Sequence, residues 1–162
     1  MNFNPRNDLL MNRFLIPTAL LVLSPFAAMA DEKAPEPKGD LAKLQGTWTA
    51  KAGPEKNIPI SITIKGSAVS LKVTAPTGDD YTSDGEVKID EAAKPYKTID
   101  WSKFTGPNGD AIPENLGLYE FVDADTLRVC SGGPGKERPT EFKAGDGGAP
   151  SLLTLNRKAV DK

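Results

Sequence analysis

Any chemistry this chain performs has to come from carboxylates, lysines, hydroxyls or one thiol, because its 162 residues include no histidine and a single cysteine. That removes the most common general base, the Ser-His-Asp arrangement and the most common transition-metal ligand. The thiol is Cys130, in the run Thr126 to Ser131, where alternation sets it opposite Leu127 and Val129. A nucleophilic thiol needs a neighbouring base or a helix N-terminus to become a thiolate. Neither is evident around Cys130, which therefore reads as a buried or half-buried, inert residue.

The carboxylates give a second candidate. DYTSDGEVKIDE, residues 80 to 91, has the spacing of a calcium loop, with Asp80, Thr82 and Asp84 at alternate positions, Gly85 sixth and Glu91 twelfth. That motif needs a helix on each side, whereas Leu71 to Val73 before it and Val87 to Ile89 within it alternate as strands do. The default is an acidic turn and a solvated strand face, and no metal is expected. GGPGKE, 132 to 137, lacks the first glycine and the terminal Ser/Thr of a phosphate loop and reads as a turn. Glu120 interrupts LGLYEFV, with Leu118 and Val122 on its side and Tyr119 and Phe121 on the other. Either it faces inward, where it would fix a ligand or pair with Arg128 or Arg157, or the aromatic side is interior and Glu120 is solvated; the second buries more aromatic area. With no paired-carboxylate constellation, neither catalytic residues nor a cofactor is expected.

The elements that would position these groups follow an export segment. Met11-Asn12-Arg13 leads into the mostly apolar run Phe14 to Phe26, and Ala28-Met29-Ala30 supplies the small residues of a cleavage site, so residues 1–30 read as a signal peptide. Met11 is an alternative start. The apolar run is shorter than the ~20 residues a bilayer-spanning helix needs, and no second one follows, so no membrane span is expected once it is removed. The expected location is periplasmic or secreted, an oxidising compartment in which one cysteine can form no internal bridge. The formal charge is -2, with no basic patch interleaved with aromatics, which argues against a nucleic-acid partner.

Residues 31–39, beginning DEKAPEP, form an expected flexible leader, and 40–162 the folded domain. Asp40 is placed to cap a short helical turn carrying Leu41 and Leu44 inward, which Gly46 stops. The period then becomes two. Leu44, Gly46, Trp48 and Ala50 share one face, and IPISITIK, 58 to 65, puts isoleucine at every second position. Gly66-Ser67 fits a two-residue hairpin turn leading to Val69, Leu71 and Val73. Further strands are expected at 85–90, 96–101, 116–122, 126–130, 138–142 and 151–158, with the largest loop at 102–114. Eight or nine short strands joined as hairpin neighbours are best closed into a barrel, which removes exposed edges; a sandwich is the alternative.

LQGTW at 44 to 48, with a basic residue on the last strand, resembles the lipocalin superfamily. The resemblance implies that Trp48, two residues after Gly46, packs at the closed end of the barrel beneath Arg157. The ordered succession LQGTW, ITIKG, KPYKTIDW, LGLYEF, TLRVC, RPTEF and LLTLNRK resembles, over almost the whole mature chain, an uncharacterised lipocalin-like domain family abundant in planctomycete bacteria. It implies fold and export, since that family has no established activity.

The expected fold is therefore all-β: an antiparallel up-and-down lipocalin-like barrel of about eight strands with a short N-terminal helical turn. An eight-stranded barrel is just wide enough either to be filled by side chains or to hold one small ligand. In the first reading a small apolar ligand is lined by Ile62, Ile64, Tyr119 and Phe121 and gated by the 102–114 loop with Phe104 and Ile112. In the second the barrel is packed solid and its surface contacts an envelope protein partner. Small inward residues near one mouth would favour the first, uniformly large ones the second.

Overall fold

The structure, a computed structural model, describes residues 36–53, 55 and 57–159. The expected signal peptide and the leader up to residue 35 lie outside the described residues. A six-residue helix α1 (Gly39–Leu44) is followed by eight strands: β1 (Gly46–Ala52), β2 (Ile58–Lys65), β3 (Ala68–Thr74), β4 (Asp80–Asp90), β5 (Lys97–Ser102), β6 (Asn115–Phe121), β7 (Thr126–Ser131) and β8 (Ser151–Arg157). Each strand pairs antiparallel with the next and β8 returns to β1, so the sheet is a closed up-and-down barrel. The final seam is the shortest, with only Trp48↔Arg157 and Thr49↔Asn156 in register.

Alternation dictates the interior. In β2 the isoleucines at 60, 62 and 64 are buried while Ser61 and Thr63 are only partly so, because successive side chains of a strand leave on opposite faces. The β2–β3 turn is Gly66-Ser67, closed by Lys65↔Ala68, and Gly66 has φ 62°, a left-handed conformation that glycine adopts without steric cost. The apolar core joins Leu44 of α1 to Trp48, the β2 isoleucines, Val69, Val87, Ile99, Tyr119, Leu127, Val129 and Leu155.

Three local features differ from the sequence expectation. β4 begins at Asp80 rather than Gly85, since Tyr81 and Ser83 continue the inward face as Val73 and Leu71 do across the seam. Their polarity hid the strand. Asp40 does not cap α1, whose N-cap is Lys38; it lies in the first turn and is buried.

The third difference is the segment 138–142, which forms no strand. It belongs to a strap running from 132 to 145 across the outside of β5, β6 and β7. The strap is fastened by Arg138, whose Nη1 donates to Asp100 Oδ1 and to the Gly117 carbonyl, 2.6 Å each, while Nη2 reaches Asp100 Oδ2 at 3.1 Å. Phe142 lies 5.3 Å from the Arg128 guanidinium and meets Tyr96 edge-on at the same distance. Beneath the strap, Leu118 and Cys130 are buried although they point away from the barrel interior. A charged, proline-bearing segment such as KERPTEF lacks ladder partners here, because β7 is already paired on both sides.

Candidate functional site: a cavity at the open end

The register divides the barrel into two ends. The turns at 66–67, 91–96 and 122–125 lie with α1 at one, and the connections 53–57, 75–79, 103–114 and 132–150 at the other. Turns and a helix close the first; the two longest connections, 103–114 and 132–150, lie at the second.

At the closed end Trp48 is fully buried, its indole N–H donating to the Leu44 carbonyl at 2.8 Å. The Arg157 guanidinium stands 4.2 Å from the Trp48 ring centroid, where the negative face of the ring attracts a cation. Its Nη1 donates to Gln45 O and its Nη2 to Lys43 O, both at 2.7 Å, so it satisfies carbonyls at the end of α1 as well. Gly46 has φ 109°, and a Cβ there would lie 3.3 Å from Arg157 Nη1, so the residue must be small and left-handed for the cation to approach.

Beside this stack is a polar cluster that sequence reading missed. The Asp40 carboxylate accepts from Lys43 at 2.8 Å, from Lys97 at 2.5 Å and from the Tyr119 hydroxyl at 3.1 Å, while its own N–H donates to Glu91 at 2.8 Å. Burial alone would raise the Asp40 pKa, but the hydrogen bonds from Lys43, Lys97 and Tyr119 outweigh it and hold the carboxyl below its usual value. Burial, joined by the Asp40 charge, pushes the Tyr119 phenol in the opposite direction, well above its ordinary range. Tyr119 and Phe121 pack edge to face at 6.0 Å, and Phe121 lies 6.3 Å from Trp48.

The open end encloses a cavity of about 230 Å³. Its inner wall on β2 and β3 is Ile60, Ile62, Val69 and Leu71, with Val129, Leu153 and Leu155 on β7 and β8. Across its mouth folds the 103–114 connection as a small hairpin: Thr105 bridges Ala111, and Ile112 N donates to Phe104 O at 2.8 Å. Phe104 turns inward over Gly85, where a Cβ would come within 2.5 Å of the ring, so glycine leaves the space the lid residue occupies. The lid is tied to β4 through Thr105, whose carbonyl accepts from the Tyr81 hydroxyl and, at 2.8 Å, from Ser83 Oγ. Thr105 N–H donates back to Ser83 Oγ at 3.1 Å.

Ile62, Phe104 and Ile112 are cavity-lining in this arrangement. Ile64, Tyr119 and Phe121, expected beside them, also face inward but belong to the closed end, below the cavity rather than around it. Parity places a side chain inside or outside; it does not say how far along the axis it lies, which depends on strand stagger. The remaining lining residues, Trp101, Asn115, Ser131 and Ser151 among them, were not anticipated. Their signal was parity with Ile99, Gly117, Val129 and Leu153, obscured because three of the four are polar.

The other sequence candidates fall elsewhere. Residues 80–90 of the apparent calcium loop form one extended strand, with Asp80 paired to Lys72 at 2.6 Å, and among the described residues no cluster of acidic or thiol groups could hold a metal ion. Glu120 is on the outer face, 2.7 Å from Arg128 Nη1. Cys130 lies under the strap, its S–H directed at the Lys143 carbonyl at 3.5 Å, and burial raises its pKa. No described helix is long and apolar enough to cross a membrane. Comparison with known proteins finds no matching family model, no matching curated protein and no matching solved structure.

Proposed function

We propose that this protein is an exported, lipocalin-like carrier that binds a small apolar molecule inside the open end of its barrel, rather than a catalyst. One observation carries the reading: a cavity of about 230 Å³ whose wall is largely aliphatic and aromatic, under a lid that contributes Phe104 and Ile112. An engineered apolar cavity of ~150 Å³ already takes up benzene, so this volume suits a ligand of somewhat larger size. The residues that leave the space are small inward ones near the mouth, Ser83, Ser131 and Ser151, which is the pattern expected of a cavity rather than a packed plug. Kinship with lipocalin-like barrels draws support from the Trp48–Arg157 stack at the closed end. Export rests on the charged, apolar and small-residue succession of residues 11–30.

Native mass spectrometry of the mature chain purified from its own host tests this directly. The expected result is a bound apolar mass that organic extraction removes and a naphthalene-sized compound replaces. Repeated absence of the mass, together with no uptake of such compounds, would leave the alternative of a packed domain that contacts an envelope protein through its surface.

A further inference from the structure

The cavity has two unlike sides. β2 and β3 present only aliphatic groups to it, whereas β5 to β8 present Trp101, Asn115, Ser131 and Ser151 beside the aliphatic Val129, Leu153 and Leu155. These four are neighbours: Trp101 faces Asn115 across the β5–β6 seam, and Ser131 faces Ser151 across β7–β8. They form an arc over four consecutive strands at the mouth. Asn115 is oriented by its own hydrogen bond, because Oδ1 accepts from Gly133 N–H at 2.9 Å and its NH2 group is left over. Among the described residues, neither that NH2 group, nor the Trp101 indole N–H, nor the Ser131 and Ser151 hydroxyls has a protein partner. The hydroxyls of β4 differ, since Tyr81 and Ser83 already donate to the lid.

Resting on the ligand-binding reading above, we infer that the ligand is a neutral molecule with an apolar body of about two rings and a hydrogen-bond-accepting group, such as a carbonyl or ether oxygen, directed at the β5–β8 arc. An indole N–H and an amide NH2 only donate, so the group that satisfies them must accept. An apolar ligand without such a group would cover these donors and strip them of water with nothing in return. Among the described residues no charged side chain lines the cavity, so a carboxylate drawn under the lid would lose hydration without gaining a counter-ion from that lining. The aliphatic wall of β2 and β3 receives the opposite side of the body, which fixes the orientation.

Equilibrium dialysis of the mature protein against 2-acetylnaphthalene, 2-ethylnaphthalene and 2-naphthoate at neutral pH separates the possibilities. The ketone should bind roughly threefold to tenfold tighter than the ethyl compound, the net worth of one added hydrogen bond. The carboxylate should bind at least about tenfold more weakly than the ketone. Trp101→Phe and Ser131→Ala, which keep the wall closed, should bring the ketone-to-ethyl ratio toward one while the ethyl compound still binds; that compound is the control for folding and cavity shape. Equal binding of ketone and ethyl compound, a ratio unmoved by both substitutions, or a carboxylate that matches the ketone would overturn the inference and leave the carrier reading standing. Binding of none of the three would remove the carrier reading itself.

Discussion

At the closed end Trp48 is wholly buried, and its N–H, the Arg157 guanidinium and the Asp40 carboxylate each have protein partners. At the open end a cavity of about 230 Å³ is lined in part by small residues, and among the described residues the Trp101 N–H, the Asn115 NH2 group and the Ser131 and Ser151 hydroxyls have no protein partner. Both ends use the same strands and the same alternation. What differs is satisfaction: the closed end has its hydrogen bonds made and its space filled, which favours stability, and the open end leaves side-chain donors and space unused. The lid belongs to the second region yet is held by hydrogen bonds from Tyr81 and Ser83, so the mouth is shaped before any ligand arrives.

The division can be broken by exchanging the effects of substitution at its two ends. Trp48→Ala should cost about 3–5 kcal/mol in urea unfolding, as removal of a large, fully buried aromatic does. Phe104→Ala should cost less than half as much, because Phe104 is only partly buried, and should instead alter uptake of naphthyl compounds. Equal losses of stability would erase the distinction.

Acid sharpens it. The Asp40 pKa in the folded protein is held below the 3.8 of a free aspartate, so the stability it contributes is fully present above that value and is lost as pH falls through it toward the lower, folded one. Asp40→Asn should therefore lower stability by about 1–3 kcal/mol near neutral pH. The gap to the unaltered protein should narrow below about pH 4. A gap that stayed constant, followed by thermal unfolding from pH 7 to pH 2, would show that the charge is not what Lys43, Lys97 and Tyr119 hold. The smallest effect belongs to the outer face: Glu120→Gln breaks a partly exposed ion pair with Arg128 and should stay within about 0.5 kcal/mol in the same unfolding assay.

Much of this architecture is legible in the sequence, and where it is not the reasons are physical. The strands with aliphatic inward faces, IPISITIK above all, announce their parity and their neighbours. The first half of β4 does not, because Tyr81 and Ser83 face the mouth and carry hydroxyls where an alternation argument looks for aliphatics. RPTEF reads as a strand by composition, yet strand formation needs a free edge, and a closed barrel has none to give. The Asp40–Lys97–Tyr119 cluster joins residues 57 and 79 positions apart in sequence, so no local pattern marks it. The same limit applies along the axis: Ile62 and Ile64 share a face, but only their depth in the barrel decides which one meets the cavity.

Seven of the eight seams join strands adjacent in the chain; the eighth brings β8 back to β1, with Gln45 and Arg157 112 positions apart. Chain entropy makes that return roughly 2 kcal/mol harder than forming a ten-residue hairpin. The ladder there is the shortest in the molecule, so main-chain pairing offers little to offset the difference. Lys158 N–H adds a bond to Thr47 O at 2.8 Å, and the Arg157 cation adds contacts to the indole, two carbonyls of the opening helix and turn, and Asp125. Arg157 thus works as a latch between the first strand and the last, reinforcing the shortest seam of the tube with its last inward-facing side chain.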